Sequence, residues 1–203
     1  MYLSDYHTHT QFSPDAHDPM ADMARAAIRA GLDEICFTDH VEPMEWGSTK
    51  LRAPYHWSAL TDDFEAAQAA LGDYLDEALD LAKLGGFTVM GHLTLPLRYF
   101  NGMRGLNVSF DPYEDQIRMI LQTLIENGRG IELNCNRGDM PLPDEKWLKI
   151  YRELGGELIT LGTDAHSTQH VGCSIRERQT LLRECGFTRF CTFEKQKPVW
   201  HNL

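Results

Sequence analysis

The sequence predicts an α/β fold in which the strands form a parallel sheet. Short apolar strands alternate with amphipathic helices along most of the 203 residues, and no hairpin dipeptide such as Asn-Gly separates two alternating runs. Residues that can bind metal directly follow several of the strands. A doubly wound sheet would gather its site at one crevice, whereas a barrel gathers the ends of all its strands on one face. Metal-binding residues at many strand ends therefore favour a barrel.

The first half of the chain begins with a strand that carries His7 and His9. Asp18-Pro19 is typical of a helix start and Gly31 of a helix end. The following elements are predicted: a helix that starts at Pro19 and is stopped by Gly31, a strand at 32–38, a loop at 41–57, helices at 60–71 and 73–84, and a strand at 87–90. The two helices meet at Gly72-Asp73 with no strand between them, which breaks the alternation. The loop, with Glu42 and Glu45, is a candidate substrate loop.

The second half of the chain continues the alternation after an irregular segment at 94–110 that carries Arg98. The apolar stripe of the next helix is Ile117, Ile120, Leu121, Leu124 and Ile125. The remaining predicted elements are a helix from Asp111-Pro112, a strand at 130–134, a helix around Trp147 and Tyr151, a strand at 157–161, a helix at 175–185 and a strand at 189–193.

Composition and charge exclude several classes of protein. Hydrophobic residues make up 42% and charged residues 24%, as in ordinary globular domains, and the net charge of −11 argues against the nucleic-acid backbone as a partner. Five cysteines without a C-x-x-C pair favour reduced thiols in a cytosolic protein. We expect a cytoplasmic protein with no membrane partner, because the chain starts on a strand and has no long apolar run. The oligomeric state stays open.

Histidines and aspartates at strand ends form the candidate site. His7 and His9 are two residues apart and face the same side of a strand, and Asp164 and His166 repeat this spacing. His40 and His92 follow two other strands. Imidazole nitrogen and carboxylate oxygen suit zinc, manganese or iron. Two such ions can lower the pKa of a water molecule, hold phosphoryl oxygens and stabilise a departing alkoxide.

Each of these residues also has a structural interpretation. The His7/His9 pair could face water, His92 could be a core histidine, and Asp164 could cap a helix. Arg98 and Arg137 could be exposed loop residues instead of phosphate ligands. The coincidence of so many candidates at successive strand ends favours a site. His170, four residues after His166, could contact substrate.

Five segments of the sequence together resemble the PHP (polymerase and histidinol phosphatase) family of metal-dependent phosphoesterases. The segments are DYHTHTQFSPDA, FTDH, GHLTLPLRY, IELNCNR and LGTDAHS. The tail, GGELITLGTDAHSTQHVG with CTFEKQKPV, is similar to the histidinol-phosphatase branch in particular. The resemblance implies one domain over residues 1–203, a distorted (β/α)7 TIM-like barrel.

The same resemblance implies a site with two or three divalent ions. His7, His9 and Asp164 would share one metal, and His92 would help to hold a third. A further metal would be held by Asp15, His40 and His166. Asp164 and His166 would be catalytic, while Arg98, Arg137 and His170 would bind substrate. The implied reaction is hydrolysis of L-histidinol phosphate to L-histidinol and phosphate in histidine biosynthesis.

The sequence departs from the family at residues 72–73. Relatives have two further strands there, one ending in a glutamate that bridges two metals and one ending in Ser-Val-His, so the barrel is expected to be incomplete at this point. Either the segment is lost, or further residues separate Gly72 from Asp73. The exposed strand edges that a loss would create favour the second interpretation. Alternative functions are a broader phosphoesterase for other small phosphates and a metal-binding module without activity.

Overall fold

The computed structural model describes residues 1–40 and 61–203. Within these ranges the strands and α-helices are, in order, β1 (Ser4–Thr8), α1 (Met20–Ala30), β2 (Glu34–Phe37), α2 (Phe64–Leu84), β3 (Val89–Met90), α3 (Glu114–Glu126), β4 (Gly130–Asn134), α4 (Glu145–Glu153), β5 (Ile159–Gly162), α5 (Ile175–Glu184), β6 (Arg189–Glu194) and β7 (Lys197–Asn202). A π-helical turn forms at Arg98–Met103. The predicted substrate loop, residues 41–57, lies outside the described residues.

The strands β1 to β5 are parallel, as the alternation of strands and helices predicts. β1 pairs with β2, and β4 lies between β3 and β5. The ends of β1 and β5 also join, because His9 N–H donates to Ala165 O at 2.8 Å and Asp164 N–H donates to His7 O at 2.9 Å. The carboxyl ends of these strands therefore lie on one side of the fold.

A gap separates β2 from β3. In the part of the chain that the structure describes, no ladder joins these two strands, so the ring of hydrogen-bonded strands is not closed there. A cavity of about 520 Å³ opens beside the gap, with Tyr6, Cys36 and Val89 among its lining residues. This is the place in the chain order where the family resemblance predicts an incomplete barrel.

The helix α2 is one continuous element where the sequence predicts two. Asp63 caps its first turn by accepting the N–H of Ala66, and Gly72 lies within the helix instead of ending it. A side chain at Gly72 would come within 3.0 Å of the Tyr113 ring, whose hydroxyl donates to Gln68 O at 2.8 Å. Gly72 thus permits close packing of this ring on the helix, and the predicted break was wrong.

The strands β6 and β7 form an antiparallel hairpin that the sequence did not predict. β6 pairs with β7 through the two-residue turn Lys195–Gln196, and both turn residues have positive φ, 50° and 64°. A turn of this kind usually contains Asn-Gly, because few other residues adopt this conformation easily. Lys-Gln carries no such signal, so the predicted absence of hairpins was wrong.

The core lies between the strands and the helices α2, α3 and α4. The stripe predicted for α3 is buried at Ile117, Ile120, Leu121 and Leu124, which pack with apolar side chains of β4 and β5. Ile125 is only partly buried. The amphipathic period of the sequence therefore predicts the buried face of this helix correctly.

The buried carboxylate of Asp5 holds β1 to the end of β5. Asp5 Oδ1 accepts the N–H of Thr163 at 2.9 Å, and Oδ2 accepts the Thr163 hydroxyl at 2.6 Å and the N–H of Gly172 at 3.0 Å. Burial raises the pKa of the Asp5 carboxyl, although the hydrogen bonds from Thr163, Gly172 and His7 act in the opposite direction. The side chain thereby satisfies donors that would otherwise be buried without a partner.

We expect Asp5→Asn to lower the free energy of unfolding by about 1–3 kcal/mol, the cost of leaving a buried donor unsatisfied. Each carboxylate oxygen accepts a backbone N–H, so the amide NH2 of asparagine would face a donor in either orientation. The measurement is the urea midpoint. The matched control is Asp22→Asn, which removes an exposed pair with Arg25. Equal midpoints for the two variants would contradict this role of Asp5.

Candidate metal centre

The first group of candidate ligands lies where β1 and β5 end. Asp164 Oδ1 is 3.5 Å from His7 Nε2 and 3.2 Å from His9 Nε2. One ligand atom from each of these three residues lies within 4.8 Å of the others. His7 and His9 share one face of β1, as the strand period predicts, and the direct pairing of β1 with the end of β5 adds Asp164.

A second group shares His9 with the first. His9, His40 and His166 also place ligand atoms within 4.8 Å of one another. Asp15 adds a carboxylate, because its Oδ2 is 2.9 Å from His166 Nε2 and 3.6 Å from His40 Nε2. The structure thus brings together the residues that the sequence predicts for two neighbouring metals, with His9 between them.

His92 lies beside these groups without belonging to either of them. It follows β3, has a φ of 28°, and its ring centroid is 5.3 Å from that of His7. Burial lowers the pKa of His92, although Glu132 acts in the opposite direction. The geometry places His92 at the edge of the centre nearest to the gap between β2 and β3.

The donor set fits bound metal ions. His9 is buried, and its Nε2 finds no hydrogen-bond partner among the described residues. An unpaired buried nitrogen is costly unless a ligand completes its environment. Nitrogen donors with one or two carboxylates are the combination that zinc, manganese and iron accept. The structure therefore offers a place for an ion at the point that the two groups share.

The rings of His7 and His9 are held through Nδ1. His7 Nδ1 lies 2.8 Å from Glu132 Oε1, and His9 Nδ1 lies 3.0 Å from the Ser13 hydroxyl. Ser13 donates in turn to Asp39 Oδ1 at 2.9 Å. With a proton on Nδ1, each ring directs the lone pair of Nε2 into the centre, which is the form that binds metal.

Charge within the centre is balanced locally. Burial disfavours the charged form of His7, but Glu132 and Asp164 together raise its pKa to about 9. Burial also opposes ionisation of Asp164, yet the nearby His9 ring and the charges of His7 and Arg98 hold the pKa of that carboxyl far below its usual range. The carboxylates are therefore ionised among donors and cations.

Both predicted arginines contact this centre. Arg98 Nη1 is 2.5 Å from Asp164 Oδ2, and its Nε donates to Asn136 Oδ1 at 2.5 Å. Arg137 is exposed, donates from Nε to Asp164 O at 3.0 Å, and places Nη2 2.9 Å from His166 Nδ1. His170 lies in the turn after β5, with Nδ1 3.2 Å from the Ser167 hydroxyl, and its contact with substrate stays a prediction.

The residues that hold the candidate ligands in place were not predicted from the sequence. Glu132 contacts His7, Ser13 contacts His9, and Asp39 accepts the hydroxyl of Ser13, but none of the three was predicted as part of the site. Glu132 carried a signal: a glutamate within the otherwise apolar strand GIELN is a charged residue in a buried position, which is rare without a partner. Ser13 and Asp39 carried none, because serine and aspartate are common in loops.

Replacing His9 should affect both metals, since His9 belongs to both groups of ligands. We expect His9→Gln to remove both ions and His40→Gln to remove one, as measured by elemental analysis of metal per chain after dialysis. The matched control is His17→Gln, because His17 is exposed and outside both groups. Metal content for His9→Gln equal to that of the control would contradict the shared position.

Comparison with known proteins agrees with this geometry. The chain is 26% identical to a probable histidinol-phosphatase of Thermotoga maritima over 223 residues, covering 91% of this chain and 93% of that protein. It is 24% identical to a histidinol-phosphatase of Lactococcus lactis, covering 95% of each chain. The second alignment spans 256 residues, which is more than the 203 of this chain. That relative therefore contains segments that this chain lacks.

The fold is also that of a solved structure. A crystal structure of histidinol phosphate phosphatase from Lactococcus lactis, complexed with zinc, L-histidinol and phosphate, superposes with a TM-score of 0.75 at 22% identity. The superposition covers 97% of this chain and 98% of the other. Residues 5–68, which include the His7/His9 strand and His40, match the family model described as the PHP domain. The chain thus resembles the PHP family over residues 5–68.

Proposed function

We propose that this protein is a metal-dependent phosphomonoesterase that hydrolyses L-histidinol phosphate to L-histidinol and phosphate. The observation that carries the proposal is the pair of ligand groups that share His9, with Arg98 and Arg137 against Asp164 and His166. The names of the relatives that match along nearly the whole chain support the choice of substrate. The bound zinc, L-histidinol and phosphate of the L. lactis structure agree with it.

The metal content that we propose is two or three divalent ions of zinc, manganese or iron. His7, His9 and Asp164 would hold one ion, and His92 would help to hold a third. The second ion would be held by Asp15, His40 and His166 with His9 close by. When bound, such ions activate water and neutralise charge on the phosphoryl oxygens.

The arginines would act on substrate from different positions. Arg98 is largely buried and is held by Asp164 and Asn136, so its role is to fix the carboxylate and add positive charge beneath the phosphate. Arg137 is exposed at the rim, where its guanidinium could form bidentate contacts with phosphoryl oxygens. His170 would contact the substrate from the turn after β5.

We propose Asp164 and His166 as catalytic residues because both would contact the ions and the reacting phosphate when these are bound. Both oxygens of Asp164 are engaged, Oδ1 with the histidines of β1 and Oδ2 with Arg98. Asp164 therefore acts as a ligand and not as the proton donor for the leaving group. His166 faces Asp15 at the more open side of the centre.

We infer further that residues 1–203 form one domain, a distorted (β/α)7 barrel that is incomplete between β2 and β3. The partner is a small phosphorylated substrate and neither nucleic acid nor membrane, and the protein works in the cytoplasm. Among residues 1–40 and 61–203, no helix combines the length and the apolar composition that spanning a membrane requires.

The proposed activity is tested by phosphate release from L-histidinol phosphate and from a panel of other phosphomonoesters. We expect the highest kcat/KM for L-histidinol phosphate and about two or three ions per chain. Equal turnover across the panel would favour a broader phosphoesterase. Bound metal without turnover would favour the inactive module, the alternative that the missing bridging glutamate raises.

We expect Arg137→Ala to lower kcat/KM by about 10- to 100-fold, because charge-assisted hydrogen bonds contribute about 1.5–3 kcal/mol each. The metal content should stay unchanged, since Arg137 is not a ligand. The matched control is Arg25→Ala, which removes an exposed arginine on α1. An unchanged kcat/KM for Arg137→Ala would contradict its role in phosphate binding.

A further inference from the structure

Glu132 is a buried carboxylate at the centre of the strand β4. Only 4% of the residue is exposed, and its neighbours on the strand, Ile131 and Leu133, are fully buried and apolar. A charge in this environment is costly unless hydrogen bonds and opposite charges compensate for it. The partners of Glu132 therefore indicate what the carboxylate does.

Both oxygens of Glu132 are occupied by donors of this chain. Oε1 lies 2.8 Å from His7 Nδ1, while Oε2 accepts the backbone N–H of His92 at 2.9 Å and a proton of the Asn134 amide at 3.1 Å. Among the described residues, Glu132 also belongs to neither group of candidate ligands. Its role must act through His7 and His92.

The neighbouring strands leave room for this contact. A Cβ at Gly162 of β5 would lie 2.3 Å from Glu132 Oε1 and 2.4 Å from His7 Cβ. A Cβ at Gly91 would lie 3.4 Å from Glu132 Oε2. Glycine at position 162 thus allows the two side chains to meet inside the sheet.

We propose that Glu132 is a positioning residue that holds His7 in its metal-binding form. The carboxylate accepts the proton of His7 Nδ1, which leaves the lone pair on Nε2, the atom that lies 3.5 Å from Asp164 Oδ1. The inference rests on the metal binding of the proposed function and goes beyond it by naming a residue that binds no ion. Carboxylates behind metal-binding histidines typically change metal affinity by 10- to 100-fold.

The variant Glu132→Gln tests this role, because glutamine has the same shape but only one acceptor oxygen. The N–H of His92 can only donate, so it takes that oxygen, and the amide NH2 then faces His7 Nδ1. His7 must accept this hydrogen bond on Nδ1 and carry its proton on Nε2, where it cannot bind metal.

The measurement is zinc affinity by competition with a chelator on the purified full chain. We expect Glu132→Gln to lower the affinity for one zinc ion by about 10- to 100-fold. The affinity for the second ion, at His9, His40 and His166, should stay unchanged. The matched control is Glu34→Gln in β2, whose carboxylate accepts the hydroxyls of Tyr2 and Tyr6, groups that can also accept from an amide. This control should bind zinc like the wild type.

Three results would overturn the inference: wild-type zinc affinity in Glu132→Gln, an equal loss in Glu34→Gln, or a wild-type chain that binds no zinc. A second measurement, needed if Glu132→Gln does not fold, is ¹⁵N NMR of the histidine rings in the zinc-loaded wild type. A proton on His7 Nδ1 supports the inference, and its absence overturns it. Zinc binding without hydrolysis of L-histidinol phosphate would refute the proposed substrate. The zinc affinities of the variants would still test the role of Glu132.

Discussion

The candidate site depends on one constraint, the direct pairing of the end of β1 with the end of β5. Two backbone hydrogen bonds join His7 and His9 to the segment after β5. The buried carboxylate of Asp5 stabilises the same junction by accepting the N–H and the hydroxyl of Thr163. Residues separated by more than 150 positions in the chain thereby come within contact distance. Without this junction, the histidines of β1 would lack the carboxylate of Asp164 and the ring of His166.

The buried carboxylates of this protein are each compensated by nearby hydrogen-bond donors or by a cation. The buried carboxylates of Asp5 and Glu132 accept hydrogen bonds from backbone N–H groups, and the buried carboxylate of Asp164 pairs with Arg98. Such an arrangement fixes the orientation of each ring before any ion binds, so less conformational freedom is lost on binding. The net charge of the whole chain is −11, but the charges within the candidate site are largely balanced by their neighbours.

Much of the fold could be predicted, but some elements could not, for physical reasons. The amphipathic period of α3 and the glycine after α1 are local signals, and both elements form as expected. The turn Lys195–Gln196 adopts a conformation that neither residue indicates, since the pairing of β6 with β7 imposes it. Gly72 is typical of a helix end, yet it lies within α2, where its lack of a side chain lets Tyr113 pack against the helix.

By itself, the sequence determined the alternation of strands and helices and the residues at strand ends, because both follow from local spacing along the chain. It also determined that His7 and His9 share one face of a strand, since side chains alternate. Only the tertiary structure decided that His9 lies between two groups of ligands and that Glu132 stands behind His7. These facts depend on contacts between distant strands, and no local pattern encodes which distant carboxylate will meet a given imidazole.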